Sequence, residues 1–315
     1  MKICILGAGA LGSSIGAVLT ESGLDVHLVD TWKEHVTVMA EKGLRLKELD
    51  TDRVIKVRAT DDVRTLGSVD LMILLVKSYS TEQAIRDAVP VIGKDTIVLS
   101  LQNGLGNEQI IARVVGKEHV LGGITYAGGV LLAPGHVLAG RKGKLTYIGE
   151  LDGRKTARVE EISRLLSSAG VQTEVAEDIH ARIWNKLLVN IAVSPLSAIT
   201  GLSHGAMASV QEVVSCAEAA VAEAIAVAKA SGVELATEDP CRIWKMATEG
   251  LPADHKSSML QDIEKGSRTE IDFINGAVVQ WGKKHGVPTP INSTLMAGVK
   301  GIEYRQINLN KSKRG

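Results

Sequence analysis

Met1-Lys-Ile-Cys-Ile-Leu-Gly-Ala-Gly-Ala-Leu-Gly12 is the stretch that decides the fold. Residues 2–6 are a short apolar run of the kind a parallel sheet buries on both faces. Residues 7–12 then read G-x-G-x-x-G, and residues 10–22 carry a helical pattern closed by Gly23. A strand that runs through a glycine turn into a helix is the context that gives this spacing meaning. The glycines allow a tight turn and let a pyrophosphate approach the backbone. The helix start offers unpaired N–H groups and the positive end of its dipole.

Working outward, a second strand at 25–29 ends at Asp30, 18 residues after Gly12. An acidic side chain there accepts hydrogen bonds from a ribose 2′-hydroxyl and repels a 2′-phosphate. The sequence therefore predicts NADH as cofactor, with NADPH weaker and Lys33 close enough to soften the preference. The competing reading makes Asp30 the N-cap of a helix over 31–40. Further apolar strands at Leu71–Val76 and Thr96–Leu99 continue the alternation of strand and helix, which argues for an α/β doubly wound sheet. Lys77 ends the third strand and Gln102-Asn103-Gly104-Leu105-Gly106 follows the fourth. Ligands in such sheets sit at the carboxyl ends of strands. Residues 119–149 are Gly-rich, with Gly128-Gly129 and Pro134-Gly135 as turn signals, and read as short strands able to extend the sheet. A helix over 153–168 and a strand over 171–176 complete this domain, residues 1–177.

Residues 178–315 are almost wholly helical in pattern. Helices are expected at 178–200, where Pro195 should kink or reset the chain, and at 210–231, apolar nearly all round. Shorter ones follow at 239–249, 257–265, 271–285 and 291–304. A length of 315 residues fits two domains, and 45% hydrophobic residues suffice for sizeable cores. Lys plus Arg and Asp plus Glu are both 36, so the net charge of zero gives no general pull toward nucleic acid or an anionic membrane. The cations of Lys311–Arg314 read as a solvated tail. Cys4 and Cys216 read as core thiols, and neither they nor Cys241 show ligand or redox spacing. The histidines, His27, His35 and His180 among them, show no metal-ligand spacing. No signal-peptide layout or membrane-spanning run is present, which makes the cytoplasm the default expectation.

Arg182-Ile-Trp-Asn-Lys-Leu-Leu-Val-Asn190 carries the chemistry. Lys186 is a lone charge among apolar residues, and Asn190, four residues on, shares its helical face. An ammonium beside a carboxamide can hold and protonate an oxygen-rich substrate, and with the dinucleotide fingerprint this points to a reductase. Burial lowers the pKa of such a lysine and a neighbouring glutamate raises it. Ser257 and Ser258 precede a helix pattern, so either can cap it or bind a carboxylate. Glu270 and Asp272 each fit an ordinary first-turn acid.

With these residues assembled, the chain resembles the ketopantoate reductases (2-dehydropantoate 2-reductases) nearly end to end. The resemblance rests on Gly-x-Gly-Ala-Leu-Gly at 7–12, Asn-Gly-x-Gly at 103–106 and Trp-x-Lys-Leu-x-x-Asn at 184–190. It continues with Pro-Leu-x-Ala-Ile at 195–199, Ser-Ser-Met-Leu-Gln-Asp-Ile at 257–263 and Thr-Glu-Ile-Asp-x-Ile-Asn-Gly at 269–276. It implies NAD(P)H-dependent reduction of ketopantoate to (R)-pantoate, toward pantothenate and coenzyme A. It also implies a Rossmann-type domain followed by an all-α domain like the C-terminal domain of 6-phosphogluconate dehydrogenase. By the same resemblance Lys186 is the general acid, and Asn190, Ser194 and Ser258 bind substrate. Glu270 serves substrate and cofactor, while Gly7, Ala8, Gly9, Ala10, Leu11, Gly12, Asp30, Lys77, Asn103 and Gly128 serve the cofactor. The family often forms dimers, and a homodimer is expected here.

The chain departs from the better-known pattern at Ser194 and His204, where Asn is common, and at His255, which replaces a polar amide. Thr31 stands where NADPH-using members often carry Arg. The first three leave room for a different 2-keto acid, or for an amino-acid-derived imine. A dinucleotide sensor without catalysis would keep Gly7, Gly9 and Gly12 but would not need Lys186, Asn190 and Glu270 together.

Overall fold

The computed structural model describes residues 1–312, with side chains as far as Gln306. The chain divides into two compact units: residues 1–102 with 107–182, and residues 103–106 with 183 onward. The units part between Arg182 and Ile183, where the sequence reading sets the boundary at 177.

The first unit opens with β1 (Lys2–Leu6), α1 (Ala10–Glu21), β2 (Asp25–Val29) and α2 (Lys33–Lys42). Next come β3 (Leu44–Glu48), β4 (Thr51–Ile55), β5 (Arg58–Thr60), β6 (Val69–Leu74), α3 (Thr81–Ala88) and β7 (Ile92–Ser100). It continues through α4 (Asn107–Val115), β8 (Val120–Thr125), β9 (Gly128–Ala133), β10 (His136–Gly140), β11 (Thr146–Glu150), α5 (Ala157–Ser168) and β12 (Thr173–Val175). Eight strands form the main sheet in the order β12-β11-β8-β7-β6-β1-β2-β5, parallel except where β8 meets β11. The order runs outward from β1 in both directions, which makes β1 the switch point of a doubly wound sheet.

Strand β1 shows why the pattern was readable. Ile3 and Ile5 pack with α1 residues such as Ile15 and Leu19 on one face, while Cys4 and Leu6 join Met72, Leu74 and Ile85 on the other. Each fully buried aliphatic side chain stabilises the unit by roughly 1.5–3 kcal/mol, so a continuous apolar run is what a strand covered on both faces requires.

The second sheet and the thiols differ from the sequence expectation. The short strands of 119–149 do not all extend the sheet: β8 and β11 do, but β9 and β10 join β3 and β4 in a separate four-stranded sheet, order β4-β3-β10-β9. The alternating burial of Leu44-Arg-Leu-Lys-Glu48, with Leu44 and Leu46 inward, shows that β3 packs on one face only. Cys241 is exposed and Cys216 half-buried, so only Cys4 is a core thiol; burial pushes it up to about 12.

The second unit is helical. It contains most of α6 (Ile179–Thr200), then α7 (His204–Ala208), α8 (Gln211–Ala230), α9 (Pro240–Thr248), α10 (Ser258–Glu264), α11 (Asn275–His285) and α12 (Pro290–Ser312). Helix α6 runs through Pro195 unbroken. Helix α8 buries a stripe, Ala217, Ala220, Val221, Ala224, Ile225, Val227 and Ala228, and exposes Ala222 and Ala226, so it is not apolar-buried all round. Glu223 on its flank accepts from the Ile291 and Asn292 amides at 2.8 and 2.9 Å, satisfying the open start of α12. The expected helix over 271–285 is split: a 3-10 turn, Ile271–Phe273, precedes α11. The expected tail Lys311–Arg314 has its side chains outside the described residues. No helix among the described residues is long and apolar enough to cross a membrane.

Candidate active site

In the first unit the glycine loop explains itself position by position. Gly7 has φ +100°, and a Cβ there would lie 2.4 Å from the Val76 amide nitrogen. A Cβ on Gly12 would lie 2.0 Å from the Gly7 carbonyl oxygen. Both glycines are demanded by the fold. Gly9 is different: its backbone is ordinary (φ −63°) and its Cβ would meet nothing within 4 Å. Neither strain nor packing requires glycine there, and the backbone is left open to close approach at this position. The first α1 bond runs from the Ser13 N–H to the Gly9 carbonyl, 2.8 Å, so the amides of Ala10, Leu11 and Gly12 precede the helical ladder. Unpaired amides at a helix start are a general setting for anion binding.

Asp30 follows β2 and accepts a hydrogen bond from the Trp32 amide at 2.9 Å. It does not cap α2, whose N-cap is Trp32 itself. Lys77, half-buried, lies beyond the carboxyl end of β6, beside β1. A buried polar network holds this segment. Gln102 donates to the Val76 carbonyl and to Thr81 Oγ1, each at 2.7 Å; Thr81 bonds Asn107, and Asn107 bonds Ser78. Glu108 beside it is fully buried, and desolvation raises its carboxyl to about 7. Gly128 starts β9 and is exposed, while a Cβ on Gly129 would come within 3.3 Å of the Ala10 carbonyl oxygen. That packing brings the Gly-rich hairpin against the start of α1.

Asn103 belongs with the other unit. The Leu105 N–H donates to the Phe273 carbonyl at 2.9 Å, and a Cβ on Gly104 would sit 2.5 Å from that oxygen. Residues 103–106 thereby join the segment that carries Glu270.

In the second unit, Lys186, Asn190 and Ser194 follow one another at intervals of four along α6, one face of the helix. Trp184, Leu187, Leu188 and Ile191 take the buried side, and Trp184 meets Trp281 edge-on at 6.0 Å. Lys186 keeps some accessible surface yet is closely surrounded by protein. Burial lowers its pKa to about 8, and the charge of Glu270 partly opposes that shift. Glu270 is 7% exposed. Asp272, which the sequence could not tell from it, is spent on Arg268 and Lys300. The two serines also separate. Ser257 is the N-cap, accepting from the Leu260 amide at 3.1 Å, and Ser258 is exposed at the first helical position.

Sequence reasoning missed the braces behind these groups. Glu303 on α12 accepts from both the backbone N–H and the hydroxyl of Thr269, each at 2.7 Å, and so fixes the residue before Glu270. No local signal marks a partner 34 residues away. Asn275, in the quoted Ile-Asn-Gly run, is buried and donates to Asn292 at 2.9 Å, tying α11 to α12. His204 is 5% exposed, its ring edge-on to His255 at 4.9 Å, and burial lowers its pKa to about 4. Among the described residues no cluster of three metal-binding side chains occurs.

The model of ketopantoate reductase PanE/ApbA matches residues 3–153, and that of its C-terminal domain matches residues 178–303. The chain belongs to the ketopantoate reductase family. Among curated relatives of this ketopantoate reductase family member, 2-dehydropantoate 2-reductase from Archaeoglobus fulgidus is 37% identical over 302 residues, 96% of this chain and 98% of that protein. The enzyme of the same name from Pyrococcus horikoshii is 38% identical over 303 residues, with the same coverage. A crystal structure of a PanE/ApbA family ketopantoate reductase from Ralstonia eutropha JMP134 aligns with a TM-score of 0.89 at 33% identity, covering 97% of this chain and 99% of that one. D-mandelate dehydrogenase, in a ternary structure with NADH and anilino(oxo)acetate, aligns with a TM-score of 0.91 at 32% identity and the same coverage. Ketopantoate reductases are NAD(P)-dependent oxidoreductases, and the observed architecture, a doubly wound sheet unit and a helical unit, is theirs.

Proposed function

We propose that this chain reduces ketopantoate to pantoate, using NADH in preference to NADPH, with Lys186 as the proton donor. The observation that carries this reading is Lys186 itself: an ammonium drawn to about pKa 8 by burial, countered by buried Glu270, on the helical face that also bears Asn190 and Ser194. When bound, the reduced nicotinamide supplies the hydride. Lys186 Nζ then holds the keto oxygen and passes it a proton as charge grows there. Asn190 and Ser194 orient the substrate along α6, and the Ser258 hydroxyl, relieved of capping by Ser257, donates to its carboxylate. Glu270 keeps Lys186 charged near neutral pH and accepts a hydrogen bond from substrate or cofactor.

On the cofactor side, residues 7–12 hold the pyrophosphate, Asp30 takes the ribose hydroxyls, and Lys77, Asn103 and Gly128 complete the site. In this division residues 1–177 bind the cofactor and 178–315 the substrate, in a cytoplasmic homodimer. Steady-state kinetics on ketopantoate with each cofactor test the reading. We expect a higher kcat/KM with NADH, and Asp30→Ala should narrow the difference. A higher value with NADPH in the unaltered protein would remove Asp30 as the selector. Sedimentation equilibrium tests the dimer.

A second reading is favoured by His204 and His255 together with Ser194. Ser194 is smaller than the Asn common there, which leaves room on this face of α6 for a bulkier 2-keto acid, and His255 lies three residues before Ser258; the similar D-mandelate dehydrogenase was captured with an aryl-bearing oxo acid analogue. Phenylglyoxylate beside ketopantoate in the same assay separates the two.

A further inference from the structure

Trp32 is the exposed one of the chain's tryptophans: it is 41% accessible, whereas Trp184 and Trp244 are buried and Trp281 is half-buried. It lies two residues past Asp30, whose carboxylate accepts its amide. One face of its indole rests on the His35 imidazole, with centroids 5.4 Å apart and planes within 15°.

His35 is fully buried and ties three parts of the first unit together. Its Nδ1 accepts from the Gly135 N–H at 2.8 Å, in the turn between β9 and β10. A backbone amide can only donate, so the ring proton is on Nε2. That Nε2–H lies 2.9 Å from the carbonyl oxygen of Ala8, inside the glycine loop, and 3.2 Å from the Ser13 hydroxyl. Ser13 Oγ donates to the same carbonyl at 2.6 Å. Gly135 has φ +68°, and a Cβ there would lie 2.4 Å from a Val38 side-chain carbon, so the turn is pressed onto α2. The imidazole thus has a fixed plane, and the indole lies on it.

We propose that Trp32 is the residue on which the adenine ring of the cofactor stacks, and that His35 is a positioning residue holding that platform and the phosphate-binding loop in one register. The proposal rests on the reading of residues 7–12 as the pyrophosphate site. If Asp30 takes the adenosine ribose, the next group of the ligand is a flat base, and a propped, outward-facing indole two residues on is a surface for it. His35 makes the platform and the loop one body, because moving its ring would shift Ala8 and Trp32 together.

The test compares NADH with reduced nicotinamide mononucleotide, which lacks the adenosine half, and adds direct calorimetric binding of ADP-ribose. We expect Trp32→Ala to weaken ADP-ribose about tenfold or more and to reduce the kcat/KM preference for NADH over the mononucleotide by a similar factor. Trp32→Phe should restore most of both. His35→Ala should weaken ADP-ribose, and His35→Gln, which keeps a donor for the Ala8 carbonyl, should recover part of it; circular dichroism checks the fold of each. A Trp32→Ala protein that binds ADP-ribose like the parent overturns the platform. Weakened binding in Trp32→Ala alone, with a folded His35→Ala protein unaffected, overturns the brace. If the parent binds neither ADP-ribose nor NADH, the cofactor reading fails first and takes this one with it.

Discussion

Lys186 was legible as a residue and not as an acid of a given strength. Its place among apolar neighbours, four residues before Asn190, follows from the sequence, but its pKa depends on burial and on a glutamate 84 positions away. Two predictions belong at this scale. Lys186→Ala should lower kcat by about 10²–10⁴-fold, while NADH binding, read by fluorescence, survives; near-normal turnover would remove lysine from the chemistry. The acid must be protonated to act, so kcat/KM for reduction should be full below pH 8 and fall as pH rises through about 8. Glu270 raises the lysine pKa, and Glu270→Gln removes that support, so the alkaline limb should move to lower pH. An unmoved or raised limb in pH–rate profiles would separate Glu270 from Lys186.

Elements were legible where one segment's pattern decides them. Strands β1 and β2 were readable as short apolar runs, and helix α1 and the long α6 and α8 by a helical pattern within each segment. The second sheet was not, because pairing of β3 with β10 is a contact between residues roughly 90 positions apart, invisible to local periodicity. The alternation in Leu44–Glu48 did signal a strand, though not its partner. Capping shows the same divide. From sequence Ser257 and Ser258 were interchangeable, and the structure assigns the cap to Ser257. Ser257→Ala should therefore cost about 1 kcal/mol of stability in chemical denaturation, with KM nearly unchanged. Ser258→Ala should raise the KM for the keto acid and leave stability within about 0.5 kcal/mol. Swapped phenotypes would return Ser258 to a purely structural role.

At the scale of the whole molecule, one contribution to stability against acid comes from a residue that the sequence marked only as a departure from pattern. His204 is sealed in the helical unit beside His255, and the backbone ties the two: the His204 N–H donates to the His255 carbonyl at 2.9 Å, and the Gly205 N–H to the Ala253 carbonyl at 3.0 Å. Burial, then the neighbouring His255, holds the His204 pKa at about 4 against an ordinary 6.5. Above pH 6.5 neither folded nor unfolded chain protonates it, and stability is full. As pH falls through 6.5 the unfolded chain takes a proton that the folded protein refuses until about pH 4, so stability declines across that window and levels below it. The loss is at most about 3 kcal/mol, and less to the extent that His204, though sealed from solvent, lies shallow beneath the surface. Denaturant unfolding followed by tryptophan emission reports mainly the helical unit, which holds Trp184, Trp244 and Trp281. In His204→Asn the decline between pH 6.5 and 4 should shrink, whatever the substitution does to stability at pH 7.5. An unchanged slope would assign the acid sensitivity to other groups and leave the His204–His255 pair with packing as its only contribution to stability.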